Sequence, residues 1–186
     1  MILIRAFVGI DFETDCKSYI YGLQQSLKKY AVRGRWKHSD NFHLTLKFLN
    51  EIEEKQQKQK DEALMAICGH QDTFCLEFSE LGIFKGRGDI RVLWLGLTGD
   101  VKPLQLLAES IEKALAPLGF PPETRPYMPH ITIGQDIVFE SPFDQIRDSI
   151  GHISFGPMKI AKLTLFKSEQ LQNKRVYSKI SEYRLG

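Results

Sequence analysis

His43-Leu44-Thr45-Leu46 and His130-Ile131-Thr132-Ile133 carry one pattern, His-apolar-Thr-apolar, 87 positions apart. The chain has five histidines in 186 residues, and two of them sit in this pattern. Strict alternation of this kind reads as a half-buried β-strand. On a strand, residues i and i+2 point to the same face. His43 and Thr45 therefore share one face, and continued alternation adds Lys47 to it. Leu44, Leu46 and Phe48 share the other. In the second stretch His130 and Thr132 share a face, with Ile131 and Ile133 beneath. Positions i and i+2 lie roughly 6.6 Å apart along a strand, so an imidazole and a hydroxyl can reach two parts of one small anion. Two such strands facing each other would set two imidazoles and two hydroxyls around one centre. That suits phosphoryl chemistry: one His removes a proton, the other delivers one, and the Thr hydroxyls hold non-bridging oxygens.

The rest of the chain is that of an ordinary globular domain. It is 42% hydrophobic and 26% charged, with a net charge of +2. This mild basicity permits a polyanionic ligand without demanding one. Cys16, Cys68 and Cys75 form no CxxC or Cys/His cluster, and an odd count argues against a disulfide framework. Reduced thiols, no apolar run of membrane-spanning length and an opening stretch cut by Arg5 and Asp11 lead us to expect a cytoplasmic protein. A monomer is the default expectation. Two histidines without a neighbouring carboxylate or thiolate cluster fall short of usual ligand counts, so no metal and no other cofactor is expected.

In chain order, residues 2–10 read as a strand. A helix follows, capped by Thr14 or Asp15, with Ile20, Leu23, Leu27 and Tyr30 at helical spacing. A short extended piece covers Arg33–Trp36, and the first motif strand spans Phe42–Leu49. Residues 51–60 are polar and read as the solvated face of a helix, whose apolar residues Ala63, Leu64 and Ile67 come late. Thr73–Phe84 and Ile90–Thr98 form a hairpin around a Gly-rich turn. Asp100 caps a helix lined by Leu104, Leu107, Ile111 and Leu115, which Gly119 ends. Four prolines fix Phe120–Pro129 as an extended connector. A short helix with Phe143, Ile146 and Ile150 inward follows the second motif. Strands at Met158–Ser168 and Arg175–Leu185 close the chain. Mixed helices and hairpins favour an α+β fold with antiparallel sheets, and we treat residues 1–186 as a single domain.

The chain resembles the 2H phosphoesterase superfamily, and within it the RNA 2′,3′-cyclic phosphodiesterases, also called 2′-5′ RNA ligases. Both motifs match, and so do their flanks in order. These are Arg5-Ala6-Phe7-Val8-Gly9-Ile10-Asp11, Arg35-Trp36, Leu81-Gly82-Ile83-Phe84 and Arg91-Val92-Leu93-Trp94. Gly119-Phe120-Pro121-Pro122, Arg125-Pro126-Tyr127 leading into Pro129-His130, and Leu165-Phe166-Lys167-Ser168-Glu169 complete the set. The resemblance implies two similar lobes, each with an antiparallel sheet and flanking helices, and motif strands facing across a central cleft. It implies metal-independent opening of a 2′,3′-cyclic phosphate at the 3′ oxygen to leave a 2′-phosphate, with His43 and His130 catalytic and Thr45 and Thr132 on the phosphate. The same site run in reverse would join RNA ends through a 2′-5′ linkage. We assign His130 as base and His43 as acid, an order that the near symmetry of the motifs leaves open.

Each assignment has a plainer reading beside it. A lone histidine on an amphipathic strand is more often structural, but core packing has no reason to place His and Thr together twice. His38, His70 and His152 lack that context and read as surface or loop residues. Many family members carry a basic residue five positions after the second motif His, where this chain has Gln135, which can hydrogen-bond a phosphate but adds no charge. Lys47 and Arg125 are candidates to supply that charge; a solvated strand lysine and a loop ion pair are the plainer readings. Phe84 and Phe166 are candidate stacking rings for a base, although aromatics at strand ends are more often core. The expected partner is RNA with a 2′,3′-cyclic phosphate end or a small nucleotide. The alternatives are a small-molecule cyclic nucleotide or 2′-5′ oligonucleotide phosphodiesterase, and a non-catalytic RNA-end binding module.

Overall fold

The computed structural model describes residues 3–53 and 57–186. The elements in order are β1 Leu3–Asp11, α1 Thr14–Lys28, β2 Ala31–Trp36, β3 His43–Glu53, α2 Gln57–Cys68, β4 Phe74–Lys85 and β5 Ile90–Gly99. Then come α3 Val101–Leu115, β6 Ile131–Phe139, α4 Phe143–Ile150, β7 Met158–Ile160, β8 Lys162–Leu171 and β9 Lys174–Arg184. The strands form two antiparallel sheets, ordered β3-β1-β8-β9 and β2-β6-β5-β4-β7. The expected α+β architecture with two sheet-based lobes is what the chain adopts.

The lobes are not the two halves of the sequence. β1-α1-β3 and β5-α3-β6 are equivalent units, and β3-β1-β8-β9 runs in the same order as β6-β5-β4-β7, with β2 added as an outer edge. Yet β4, from the first half, pairs with β5 in the second lobe. β8 and β9 return to flank β1 in the first. The helices cross over too. Gln24 on α1 reaches Ile133 of β6 at 2.9 Å, and Tyr19 on α1 stacks on Phe78 of β4. Glu112 on α3 reaches Lys47 of β3, and Asp61 on α2 accepts a hydrogen bond from Tyr183 of β9. Each lobe thus buries segments from both halves in one continuous core, which ties the two sheets together.

Local chemistry explains most boundaries. α3 buries Leu104, Leu107, Ala108, Ile111 and Leu115 at helical spacing. Gly119 follows it with φ 92°, a left-handed position that suits glycine. The expected caps differ. Glu13 precedes α1 without a side-chain cap, and Asp15 lies in the first turn, where a carboxylate favours the helix dipole. Asp100 does not cap its own helix; its carboxylate accepts the Cys75 N–H at 2.8 Å and pins α3 to β4. Three expectations fail. Residues 51–53, read as part of a solvated helix, continue β3 beyond Leu49 and pair with residues 3–5 of β1. The stretch Met158–Ser168 is not one strand: β7 pairs with β4 in the second sheet, and after Ala161 the chain crosses to pair with β1 in the first. Lys60, assigned to a solvated face, is buried, with Nζ 5.5 Å from the centre of the Phe120 ring. The helix of which it is part is described from Gln57 onward, and residues 54–56 of the polar stretch lie outside the described residues.

Candidate active site

Both motif strands carry a β-bulge at the motif's fourth residue, and this decides which side chains reach the cleft. Along β3, Thr45 pairs with Gly9 and Lys47 with Val8, so Leu46 is the extra residue. Along β6, Thr132 pairs with Trp94 and Gly134 with Leu93, so Ile133 is the extra residue. An inserted residue reverses the in-out phase of everything after it. His43, Thr45 and Phe48 therefore share the face away from the helices, as do His130, Thr132 and Gln135. Phe48, expected on the core face, is 58% exposed. Lys47, expected beside His43 and Thr45, is turned to the helix side and is 2% exposed. Its Nζ lies 2.6 Å from Glu112 Oε2 and donates to Pro121 O at 3.0 Å. Lys47 is an internal ion pair and not a cleft cation.

The two histidines are held alike. The ring Nδ1 of His43 donates to Asn41 O at 2.7 Å. That of His130 donates to Met128 O at 2.8 Å. A carbonyl only accepts, so each neutral ring carries its proton on Nδ1 and offers a lone pair at Nε2. Thr45 Oγ1 lies 2.9 Å from His43 Nε2 and donates to it. Residues of β3 and β6 approach within 8 Å between Cα atoms. The Tyr127 hydroxyl, three residues before His130, donates to Thr45 O at 3.1 Å and braces one motif against the other. Burial pushes the His43 pKa down to about 4, with Lys37 and Lys17 adding to the shift and the Asn41 hydrogen bond and Asp11 opposing it. Burial also lowers His130, against the Met128 hydrogen bond. Both rings are thus proton acceptors near neutrality, and an anion between them would favour their charged forms.

Aromatic rings form the bed on which each imidazole rests. His43 lies 4.6 Å from Phe7, 5.0 Å from the edge-on Tyr177 and 5.8 Å from Phe166, centre to centre. His130 meets Phe84 edge-on at 5.1 Å and Trp94 at 6.3 Å. Phe84 thus flanks His130 as a ring beside the cleft. Phe166 is 4% exposed and stacked on Phe7 at 4.8 Å, so it supports His43 from below and offers no open face to a base. Trp94 sits on Gly82: a Cβ there would lie 2.1 Å from the indole. Gln135 lies on the cleft face by register. Arg125 is exposed on the connector before His130, with no ion-pair partner among the described residues. His38, His70 and His152 are exposed.

Several neighbours escaped sequence reasoning. Phe7 and Trp94 are 87 positions apart, as the histidines are. Aligning the two halves would have found them. Tyr177 and Lys37 have no such counterpart. Gln24 is buried, and its Nε2 donates to Lys37 O at 2.8 Å and to Ile133 O at 2.9 Å. It satisfies the carbonyl at the second bulge, and only the fold could reveal that partner. A surface cavity of about 460 Å³ lies between α1 and residues 149–153, away from both motifs.

The LigT-like phosphoesterase family model matches residues 10–94 and 95–177, one repeat for each motif. The chain belongs to that family. Its LigT-like repeats meet inside β5, which agrees with strands being exchanged between lobes. The RNA 2′,3′-cyclic phosphodiesterase of Bacillus subtilis (strain 168) is 30% identical over 97% of this chain and 96% of its own. That of Methanothermobacter thermautotrophicus is 25% identical over 98% and 99%. Escherichia coli LigT in apo form superposes with a TM-score of 0.82 at 23% identity, covering 100% of this chain and 99% of that one. The same enzyme complexed with 3′-AMP gives 0.82 at 24% identity, covering 99% of each chain. Among the described residues, no three His, Cys, Asp or Glu side chains are grouped to hold a metal ion, and no helix is long and apolar enough to cross a membrane.

Proposed function

We propose that this LigT-like protein is an RNA 2′,3′-cyclic phosphodiesterase that opens the cyclic phosphate to a 2′-phosphate. The observation that carries the reading is the matched pair of bulged strands, each presenting a Nδ1-anchored imidazole and a threonine hydroxyl on its cleft face. The names of the relatives supply the substrate class.

In the reaction, His130 Nε2 takes a proton from water. The hydroxide attacks phosphorus, the bond from phosphorus to the 3′ oxygen breaks, and His43 delivers a proton to that oxygen. Thr45, Thr132 and Gln135 hold non-bridging oxygens. His43 is neutral in the free protein, so its proton is loaded together with the substrate, whose negative charge raises the imidazole pKa in a site of low dielectric. Reversal with an RNA 5′-hydroxyl in place of water gives 2′-5′ ligation. Both motifs come from one chain, so a monomer is sufficient, and two imidazoles carry both proton transfers without calling for a metal.

A second reading, a phosphodiesterase for small nucleotides, is favoured by the E. coli LigT complexes with 3′-AMP, NADP+ and ATP. The test is incubation in EDTA with a short RNA ending in a 2′,3′-cyclic phosphate, followed by mapping of the product ends. A 2′-phosphate is the expected product. A 3′-phosphate, or activity only after a divalent ion is restored, contradicts the mechanism.

A further inference from the structure

We propose that Lys37 is the cation that binds the phosphate in this cleft, supplying from the β2–β3 connection the charge that Gln135 does not carry. The inference rests on the phosphodiesterase reading and names a phosphate ligand within it. Its main chain is fixed to the second motif: Lys37 N–H donates to Ile133 O at 3.1 Å, and Gln24 donates to Lys37 O. Its side chain crosses to the other lobe. Nζ lies 5.9 Å from the centre of the Tyr177 ring, and that ring meets His43 edge-on at 5.0 Å. The ammonium thus leaves one motif and ends over the ring that abuts the imidazole of the other.

Arg125 stands exposed on the connector before His130, without an ion-pair partner among the described residues, and four other cations near the site are already committed. Lys17 and Lys179 share the Asp11 carboxylate at 2.7 and 2.9 Å, and Lys179 also meets Glu182. Arg35 pairs with Asp136, and Lys47 with Glu112. No carboxylate lies within 4.0 Å of Lys37 Nζ among the described residues; the ring of Tyr177 is its neighbour. A half-buried ammonium held over an aromatic face is partly stripped of water and open to an anion. Lys37 also helps to depress the His43 pKa. A phosphate bound between the two groups would relieve that repulsion and let His43 charge. The ligand class is a phosphate mono- or diester anion, held through its non-bridging oxygens.

The test is Lys37→Met, which keeps the stem over Tyr177 and removes the charge. Inorganic phosphate is titrated into wild type and variant while the His43 and His130 ring signals are followed by NMR. Phosphate affinity should fall about 10-fold or more, the usual worth of one charged hydrogen bond. The KM for a nucleoside 2′,3′-cyclic phosphate should rise to match while kcat changes less. Without phosphate, the His43 titration should move up. Lys37→Arg should restore binding. Equal phosphate affinity in wild type and Lys37→Met would overturn the role of Lys37. Wild-type protein whose histidines both ignore phosphate would instead contradict the phosphodiesterase reading.

Discussion

Replacing Lys47 with Ala separates the bulged strand from an ideal one. If β3 alternated strictly, Lys47 would stand beside His43 and Thr45, and its loss would weaken substrate binding. The bulge at Leu46 turns it to the helix side, where Nζ meets Glu112 at 2.6 Å and Pro121 O at 3.0 Å. The Ala variant leaves the Pro121 carbonyl without its donor and Glu112 without its cation. Removing one partner of a fully buried ion pair typically costs about 3–5 kcal/mol. Glu112 is 21% exposed and retains the Glu123 N–H at 3.3 Å, so about 2–3 kcal/mol is expected here. For a chain of this size that lowers Tm by roughly 4–12 °C. Urea and thermal unfolding measure the stability, and steady-state kinetics at 25 °C measure the site. Reduced stability with KM for the cyclic phosphate unchanged within about 2-fold is the expected outcome. A KM raised 10-fold with Tm unchanged would place Lys47 in the cleft and refute the bulge argument.

Four further outcomes follow from the same geometry. The kcat/KM profile reports free-protein pKa values; with His43 near 4 and His130 below its usual value, the singly protonated form peaks below pH 6.5. The rate should then drop at least about 30-fold from its maximum to pH 8, and a flat rate from pH 6 to 8 would contradict it. Because the folded His43 pKa is depressed, its effect on stability is lost as pH falls below the unfolded value near 6.5: urea midpoints should show up to about 2 kcal/mol less stability at pH 5 than at pH 7, less after replacement of His43 by Gln. Gly82→Ala should push the Trp94 indole off its seat and lower kcat/KM at least about 10-fold in a protein that still unfolds cooperatively, as followed by tryptophan fluorescence. Gln24→Ala removes the Lys37 carbonyl's side-chain donor and leaves the Ile133 carbonyl with the Lys37 N–H alone, and should cost about 1–3 kcal/mol in denaturant unfolding.

The motifs, the α+β class and most helices were legible because their signals are local. A His-x-Thr-x strand shows its period in four residues, and α3 shows its buried face in fifteen. What the sequence hid depends on partners far along the chain. A bulge is a mismatch between two strands, so neither HLTLKF nor HITIGQ shows it alone; Lys47 and Phe48 changed faces for that reason, and Gln135 reaches the cleft face by the same device. The crossing at Ala161 is set by which strand waits on either side, β4 or β1. Lys60 looked solvated because its neighbours in sequence are polar, while its neighbour in space is Phe120. Gln24 and Lys37 are polar residues whose position follows from the lock between α1, β2 and β6. The second repeat was the unused signal, since Phe7 with Trp94 and Leu46 with Ile133 keep the spacing of the two histidines.

The central claim is that His43 and His130 act as one acid-base pair. Single-turnover hydrolysis of a 2′,3′-cyclic phosphate by His43→Gln, His130→Gln and the double variant in EDTA tests it most directly. Each single change should cost about 10²–10⁴ in rate, and the double change little more than the worse single one, because neither half of a proton relay works alone. Either single variant keeping more than about a tenth of wild-type rate, in a protein shown to be folded, would contradict the account.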